Sequence, residues 1–454
     1  MALKPALGVL VSKSSKIALQ LLKRKGTHYP GKLAKLVDSQ IIKNIEKPEK
    51  RIAVMGTNGK TTTTNLIADF MKHKNISYGS NRLGSNTYYG IATSLIDNLS
   101  ITGKNKKEFA VLEIDELWAA RILSEFEPTT ITITNLFQDS YERNANIFYV
   151  FNRLQAGIPD SAKLILNAND PISSTIKPEN ERVYFAVNNI FNEEERKSRI
   201  NDFTYCLDCH EKIVWEFNRY HHIGEYRCEK SGFTTPKAKY LVKAYDAVKN
   251  EIIIEEAGIQ YVLPVIEPII EVVYNQIAMY ATLREHGRTY EEIYSVMVKT
   301  KVDKSRFDSK NVKGRKITRI VAKGYNPVAN SRVFDTISKS NDKKMIVYLF
   351  DNLEMGNYLQ ERTPGWISDI DFDVLKDGKT KIVFKSVVAA DFLIPLQLAG
   401  VDRENIKIAE SEAEIAKYVT DETSIYVLHD IEDINRAQAE RVINLIAEHI
   451  NKEG

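Results

Sequence analysis

Residues Gly56-Thr57-Asn58-Gly59-Lys60-Thr61-Thr62 follow the apolar run Ile52-Ala53-Val54-Met55 and precede a stretch of helical pattern. Glycines in a short turn let backbone amides curl around phosphate oxygens, and a helix N terminus adds partial positive charge. In such loops the lysine reaches the β- and γ-phosphates and the hydroxyl after it ligates magnesium. The pattern, G-x-x-G-K-T, is a shortened P-loop and predicts a nucleoside triphosphate held with Mg2+. A glycine turn without a ligand is the bland alternative. The preceding strand, the internal Lys-Thr and the following helix all count against it.

Two further stretches end strands, where α/β sheets carry their sites. "VLEIDE" ends in Glu113, with Asp115 and Glu116 after it, and a carboxylate there can hold or orient a metal. "ITNLFQDSYER" sets Asn135, Asp139 and Arg143 just past the next strand. Taken singly, each polar residue is more often a helix cap or part of a solvated face. Their order behind a P-loop favours a site. A third cluster lies apart: Cys206-x-x-Cys209, with Cys228 after eighteen intervening residues, has zinc-ribbon spacing. The fourth position, in "CEKSGF", is Ser231, a poor zinc ligand. The alternatives are recruitment of His210, His221 or His222, or a metal-free knuckle held by its aromatics.

These residues need a scaffold. From Arg51 onward "IAVMG", "TTTTNLIADFMKH", "FAVLEID", "TTITITNL" and "AKLILNAND" alternate strand and helix, which predicts a parallel sheet covered on both faces. Residues 200 to 236 break the rhythm as a small insertion holding all three cysteines. "VVYNQIAMYATLREHG" then reads as a helix with Ile277, Tyr280, Ala281 and Leu283 on one face. After about residue 300, "KITRIVA", "KMIVYLF", "TKIVFKS", "FLIPLQLAG" and "SIYVLHD" form a second α/β series closed by an amphipathic helix. At the other end, "SKSSKIALQLLKRK" places Ile17, Leu21 and Leu22 on one helical face, expected to pack on the protein's own body, with a membrane surface as the alternative.

At 454 residues the chain is too long for one core. With 63 basic and 60 acidic residues it has no overall field to gather nucleic acid. Three cysteines make no disulfide framework. The opening apolar run is too short for a signal peptide or a transmembrane segment, so a cytoplasmic protein is expected, at most at the inner face of the membrane.

"GTNGKTTT", "LEID", "TNLFQDSYER", "LNANDP" and "YNQIAMYATLREHG", in that order, resemble the ATPase core of the Mur ligases and folylpolyglutamate synthases. Those enzymes phosphorylate a carboxylate with ATP and let an amine attack the acyl phosphate. The resemblance implies that Lys60 and Thr61 bind phosphate and magnesium and that Glu113 is the metal-binding glutamate. It also implies that Asn167 and Asp170 lie near the adenine, that Asn275 belongs to the nucleotide site, and that Arg306 of "SRFDSK" is a nucleotide or hinge contact. Ser140 follows Asp139 where many Mur ligases have histidine, so no metal contact carries over there.

Only about fifty residues precede the loop, too few for the UDP-binding domain of ligases acting on soluble precursors. The opening "LGVLVSKSSKIALQLLKRKGTHYPGKLA", "NRLGSNTYYGIATSL", "NPVANS" and "VVAADFLIPLQLAGVD" are similar to the MurT family, ligase subunits of lipid II isoglutaminyl synthase. The implied architecture is a short N-terminal segment (1–50), a Mur-ligase-like ATPase domain (51–303) with a ribbon insertion near 200–236, and a Rossmann-like α/β domain (304–454). The implied activity is amidation of the D-glutamate carboxylate of the lipid II stem peptide to D-isoglutamine. Ammonia would come from a GatD-like glutaminase partner in a heterodimer, whose Cys-His pair Asp369 of "GWISDIDF" would complete, with Asp371 as rival. Family members carry a four-cysteine ribbon, so Zn2+ at Cys206, Cys209 and Cys228 would be structural. Two alternatives stand beside this: an amide ligase that needs no glutaminase, and a degenerate ATP-binding scaffold of a wall-synthesis complex.

Overall fold

The computed structural model describes residues 3–452 except 83, 84, 139–145, 192–197, 301–306, 325, 351–363, 387, 431 and 432. Asp139, Ser140, Arg143 and Arg306 therefore lie outside the described residues. The chain divides into two compact units, one containing most residues up to 301 and the other residues 302–454 with 138–145 and 198–200.

In the first unit the strands are β1 (Lys50–Met55), β2 (Tyr78–Ser80), β3 (Phe109–Glu113), β4 (Thr130–Ile133), β5 (Lys163–Asn167), β6 (Arg182–Val187), β7 (Val214–Tyr220), β8 (Ile223–Arg227), β9 (Tyr240–Asp246), β10 (Glu251–Glu256) and β11 (Ile259–Pro264). Among the described residues nine of them form one sheet, ordered β11-β10-β9-β6-β5-β4-β1-β3-β2. From β2 through β6 every pairing is parallel, as the strand-helix alternation predicts. β9 joins β6 in parallel, and β10 and β11 extend the edge as antiparallel hairpins that the alternation did not anticipate. Ala257 and Gly258, both at positive φ, close the last of these with the two-residue turn that suits twisted strands.

The core explains the pattern. Ile52, Ala53, Val54 and Met55 are wholly buried because β1 has neighbours on both edges and helices on both faces. Helix Ile270–Glu285 was expected to bury one face, yet Asn275, Gln276 and Thr282 are as buried as Ile277 and Leu283. It is a core helix, apolar or satisfied all round. The N-terminal helix Leu3–Leu21 also departs from expectation. It packs through Pro5, Gly8, Val9 and Ser12, while Ile17, Leu21 and Leu22 are exposed.

β7 and β8 form their own two-stranded sheet, the expected insertion. Phe203, Cys206, Tyr226 and Cys228 belong to the same core as β1 and β3, so the insertion is rooted in the domain.

The second unit has β12 (Phe307–Val312), β13 (Arg315–Val321), β14 (Lys344–Leu349), β15 (Thr380–Lys385), β16 (Ile406–Ile408) and β17 (Ser424–His429), ordered β12-β13-β17-β14-β15-β16. All are parallel except β12. Alternation along β14 feeds two cores: Ile346 and Tyr348 join the aromatic side with Phe334, Phe384 and Phe392, and Met345, Val347 and Leu349 join the aliphatic side beneath the C-terminal helix Asp433–Lys452. "FLIPLQLAG" is a short helical segment rather than a further strand. Among the described residues no helix is long and apolar enough to cross a membrane.

Candidate functional site

The loop sits where β1 ends and helix Lys60–His73 begins, flanked by the ends of β3 and β4. Gly56 (φ 127°) and Gly59 (φ 86°) occupy the region side chains avoid. A Cβ on Gly56 would lie 2.2 Å from Thr134 Oγ1, and one on Gly59 2.1 Å from Asn275 Oδ1. Both glycines are therefore required twice, by torsion and by space.

The segment after β4 holds the loop in place. Thr57 N–H donates to the Asn135 carbonyl (2.9 Å) and Asn58 N–H to Asn135 Oδ1 (2.9 Å), while Thr134 Oγ1 donates to the Asn58 carbonyl (2.6 Å). Asn167 Nδ2 donates to the Thr134 carbonyl (3.0 Å), and Asp170 accepts from the amides of Leu136 (2.8 Å) and Ile172 (2.9 Å). Both residues are buried, so what they visibly do is brace the loop's support. No side chain caps helix Lys60–His73, which leaves the first amides, those of Thr61 and Thr62, without an intrahelical acceptor. Such an end attracts anions.

Lys60 Nζ lies 2.8 Å from Glu116 Oε1 and also donates to the Gly56 carbonyl. Burial pushes the Glu116 carboxyl above its usual range, and the Lys60 ammonium opposes that shift. Thr61 Oγ1 donates to Glu113 Oε2 at 2.8 Å, and Asn86 Nδ2 donates to Glu113 Oε1 at 3.1 Å. Asn81 fixes the strand end by exchanging hydrogen bonds with the Glu113 backbone (2.8 and 2.9 Å). A hydroxyl and a carboxylate in contact are hard oxygen donors of the kind magnesium takes, so Thr61 and Glu113 fit that ion. Asn275, from the core helix, closes the site's other side, with Oδ1 3.4 Å from Thr63 Oγ1. The structure thus brings Gly56 to Thr62, Glu113 and Asn275 together, with Asn167 and Asp170 behind them. Sequence reasoning gave Glu116 no role of its own and missed Asn81 and Asn86. The signal for the asparagines was the polar content of "NRLGSN", just before the helix Tyr88–Asp97.

The cysteine cluster is a separate place. The three sulfurs lie within 4.8 Å of one another, with Cys209 Sγ 3.4 Å from Cys228 Sγ. Ser231 Oγ is 3.1 Å from Cys206 Sγ, so the hydroxyl stands at the fourth vertex. His210 and Gly232, both at positive φ, each close a turn back on the cysteine four residues before (3.0 and 3.1 Å). Hydrogen bonding by Ser231, its hydroxyl foremost, draws the Cys228 thiol down to about 6. Three thiols and one hydroxyl on paired turns can hold a tetrahedral ion. Neither buried histidine takes part. His222 Nε2 lies 2.9 Å from the Leu136 carbonyl and 3.5 Å from Asp170, and His221 packs against Phe137. Burial would lower the His222 imidazole, but Asp170 and then Asp202 raise it. Phe203, Tyr226, Phe233 and Trp215 pack around the ribbon.

In the second unit, "GWISDIDF" forms a short 3-10 turn, Pro364–Asp369, pinned by buried Trp366 and Ile367. Asp369 Oδ2 is buried without a hydrogen-bond partner among the described residues, and burial pushes its carboxyl up to about 6. Asp371 is already engaged, accepting from Arg199 N–H at 2.7 Å.

The fold that carries this loop has counterparts among solved structures. The chain superimposes on a pseudomurein peptide ligase type C from Methanothermus fervidus with a TM-score of 0.67 (16% identity, 90% of this chain and 81% of that one). With MurF from Acinetobacter baumannii the TM-score is 0.63 (14% identity, 92% and 80%). The fold is therefore that of the Mur ligases, and the Mur ligase middle domain model matches residues 54–226. The MurT ligase C-terminal model matches residues 324–431. Over 387 residues the chain is 30% identical to the lipid II isoglutaminyl synthase (glutamine-hydrolyzing) subunit MurT of Streptococcus pneumoniae, covering 83% of each protein. With the same subunit of Staphylococcus aureus it is 29% identical over 396 residues, covering 86% and 87%. The chain belongs to the MurT family.

Proposed function

We propose that this chain is the ATP-dependent ligase subunit of a glutamine-hydrolysing amidotransferase, converting the D-glutamate carboxylate of the lipid II stem peptide to the carboxamide of D-isoglutamine. The observation that carries it is the likeness to relatives of that name over more than four fifths of both chains.

A carboxylate resists attack because its charge repels nucleophiles and oxide leaves badly. Transfer of the γ-phosphoryl group of ATP gives an acyl phosphate; ammonia then adds at the carbonyl carbon, and phosphate departs with the electron pair. The protein's task is to position the groups and neutralise charge. Lys60 would leave Glu116 for the β- and γ-phosphates, and the amides of Gly56 through Thr62 would cradle them. Thr61 and Glu113 are the residues that would hold magnesium, whose chemistry there would be neutralisation of phosphoryl charge. Asn167, Asp170 and Asn275 complete the nucleotide site in this reading, and Arg306, outside the described residues, is carried over from the family likeness as a nucleotide or hinge contact.

Ammonia is scarce at neutral pH, so a GatD-like glutaminase in a heterodimer supplies it. Asp369, whose Oδ2 has no hydrogen-bond partner among the described residues, would orient that partner's imidazole as the third member of a Cys-His-Asp set. Zn2+ held by the three cysteines, with Ser231 beside them, would staple the ribbon and take no part in chemistry. The domain boundaries near 50 and 303 belong to the same proposal, as does work at the inner face of the membrane, where a lipid-linked substrate resides.

The test combines the chain with a cognate glutaminase, ATP, glutamine and lipid II, and follows the substrate by mass spectrometry. The expected product carries the mass of hydroxyl replaced by amine, with ADP and phosphate formed. Ligation of an amino acid by the chain alone, or unaltered lipid II with all components present, overturns the reading.

A further inference from the structure

The N-terminal helix Leu3–Leu21 has two opposite apolar faces. Pro5, Gly8, Val9 and Ser12 are buried on helix Tyr29–Val37 and its neighbours. Leu3 (85% exposed), Leu7, Leu10, Ile17 and Leu21 (81%) recur at helical spacing on the other side, each about half exposed or more. At 1.5 Å per residue that stripe runs about 27 Å. Five large aliphatic side chains in one line are more than the scattered apolar exposure of an ordinary surface.

Charge identifies what covers it. The chain as a whole is nearly balanced, yet eight lysines and arginines and no acidic residue precede Asp38. Three of the eight are turned inward: Lys13 Nζ donates to the Leu99 carbonyl (2.8 Å), Lys16 pairs with Asp97, and Lys35 Nζ, on the next helix, lies over the Tyr88 ring (4.7 Å). The first two contacts fix the helix's rotation, so the apolar stripe faces outward. Exposed Lys4 marks one end of the stripe, and exposed Lys23, Arg24 and Lys25 the other. The latter three are held at the helix end by a turn in which Lys23 takes φ 56° and Arg24 N–H bonds the Leu19 carbonyl (2.9 Å). An aliphatic stripe with cationic ends fits an interface where acyl chains begin beneath anionic headgroups.

We infer that the helix Leu3–Leu21 lies flat on an anionic phospholipid surface, with Leu3, Leu7, Leu10, Ile17 and Leu21 inserted at the headgroup boundary and Lys4 and Lys23 to Lys25 on lipid phosphates. The inference deepens the proposed function and rests on it for purpose, since a lipid-linked substrate would then be met in its own plane.

The full-length chain, alone and with a cognate glutaminase, is floated with vesicles of equal parts phosphatidylcholine and phosphatidylglycerol, and with pure phosphatidylcholine vesicles. Binding is expected to the mixed vesicles, falling as salt screens the headgroups. Leu10→Glu combined with Ile17→Glu should weaken it about tenfold or more, with far-UV circular dichroism and ATP uptake unchanged. Replacing Lys23, Arg24 and Lys25 by serine should weaken it several-fold and flatten the salt dependence. If the glutamate variant loses its folded signal, the serine variant decides. Absence of flotation, equal flotation with both vesicle types, or insensitivity to the substitutions overturns the inference. So does loss of binding when the glutaminase is added, or self-association abolished by the glutamate pair, either of which makes the face a protein interface. Failure here with intact amidation of lipid II leaves the ligase reading standing.

Discussion

Lys60, Thr61 and Glu113 could be picked out in the sequence because a phosphate cradle needs its parts contiguous or at a strand end, and both leave local patterns. Glu116 and Asn81 could not be assigned in that way. Their partners, Lys60 and the Glu113 backbone, lie 56 and 32 residues away in sequence. Asp369 was visible only through family likeness, and the structure adds a contrast with Asp371: that carboxylate accepts from Arg199, whereas Asp369 Oδ2 has no hydrogen-bond partner among the described residues. Asp369→Asn is expected to cut glutamine-driven amidation by about ten-thousandfold, as loss of a triad's orienting carboxylate does, while ammonia-driven amidation stays within about twofold. Steady-state rates with each nitrogen donor check this. Because burial raises the carboxyl to about 6, the glutamine-driven rate of wild type should climb as pH rises through that value and the group ionises. The ammonia-driven rate, corrected for free ammonia, should lack that step.

At the scale of elements, the P-loop turn and the ribbon turns are both built on residues with positive φ, but for different ends. Gly59→Ala places a Cβ 2.1 Å from Asn275 Oδ1 at φ 86°. It should cost about 1–2 kcal/mol of stability from torsion alone and weaken ATP binding about tenfold or more. Thermal unfolding and calorimetric titration with magnesium present measure the two. In the ribbon, a hydroxyl stands where a fourth sulfur would complete the set. Ser231→Cys is expected to slow zinc loss to a chelator by about tenfold or more and to give the cobalt-substituted protein a stronger thiolate charge-transfer band. An unchanged rate and spectrum would mean that residue 231 is no ligand, and failure of either protein to take up metal would mean that the aromatics of the knuckle suffice. Spacing alone announced this element. That His221 and His222 are committed elsewhere, to Phe137 and to the Asp170 support, depended on the path of β7 and β8.

Across the whole molecule, stability should respond to acid through a histidine far in sequence from the loop. His286, capping the core helix, is held down to about 4, by burial first and then by Lys50 and Arg288. Its unfolded value is near the ordinary 6.5, so the unfolded chain binds the extra proton. That contribution is full above about pH 6.5 and is lost as pH falls toward 4. Denaturant midpoints between pH 7 and 4.5 should fall less steeply in His286→Gln than in wild type, and equal slopes would show that His286 takes no part.

The sequence by itself determined the P-loop, the strand-helix alternation of both units and the ribbon's place, because each is a local pattern of torsion, hydrophobic period or ligand spacing. Only the tertiary structure decided which carboxylate holds Lys60, why Asn167 and Asp170 are buried, and which face of the first helix is packed. The reason in each case is the same: these choices depend on what the chain brings alongside from dozens of residues away. A periodic apolar pattern says that a face exists without saying what will cover it.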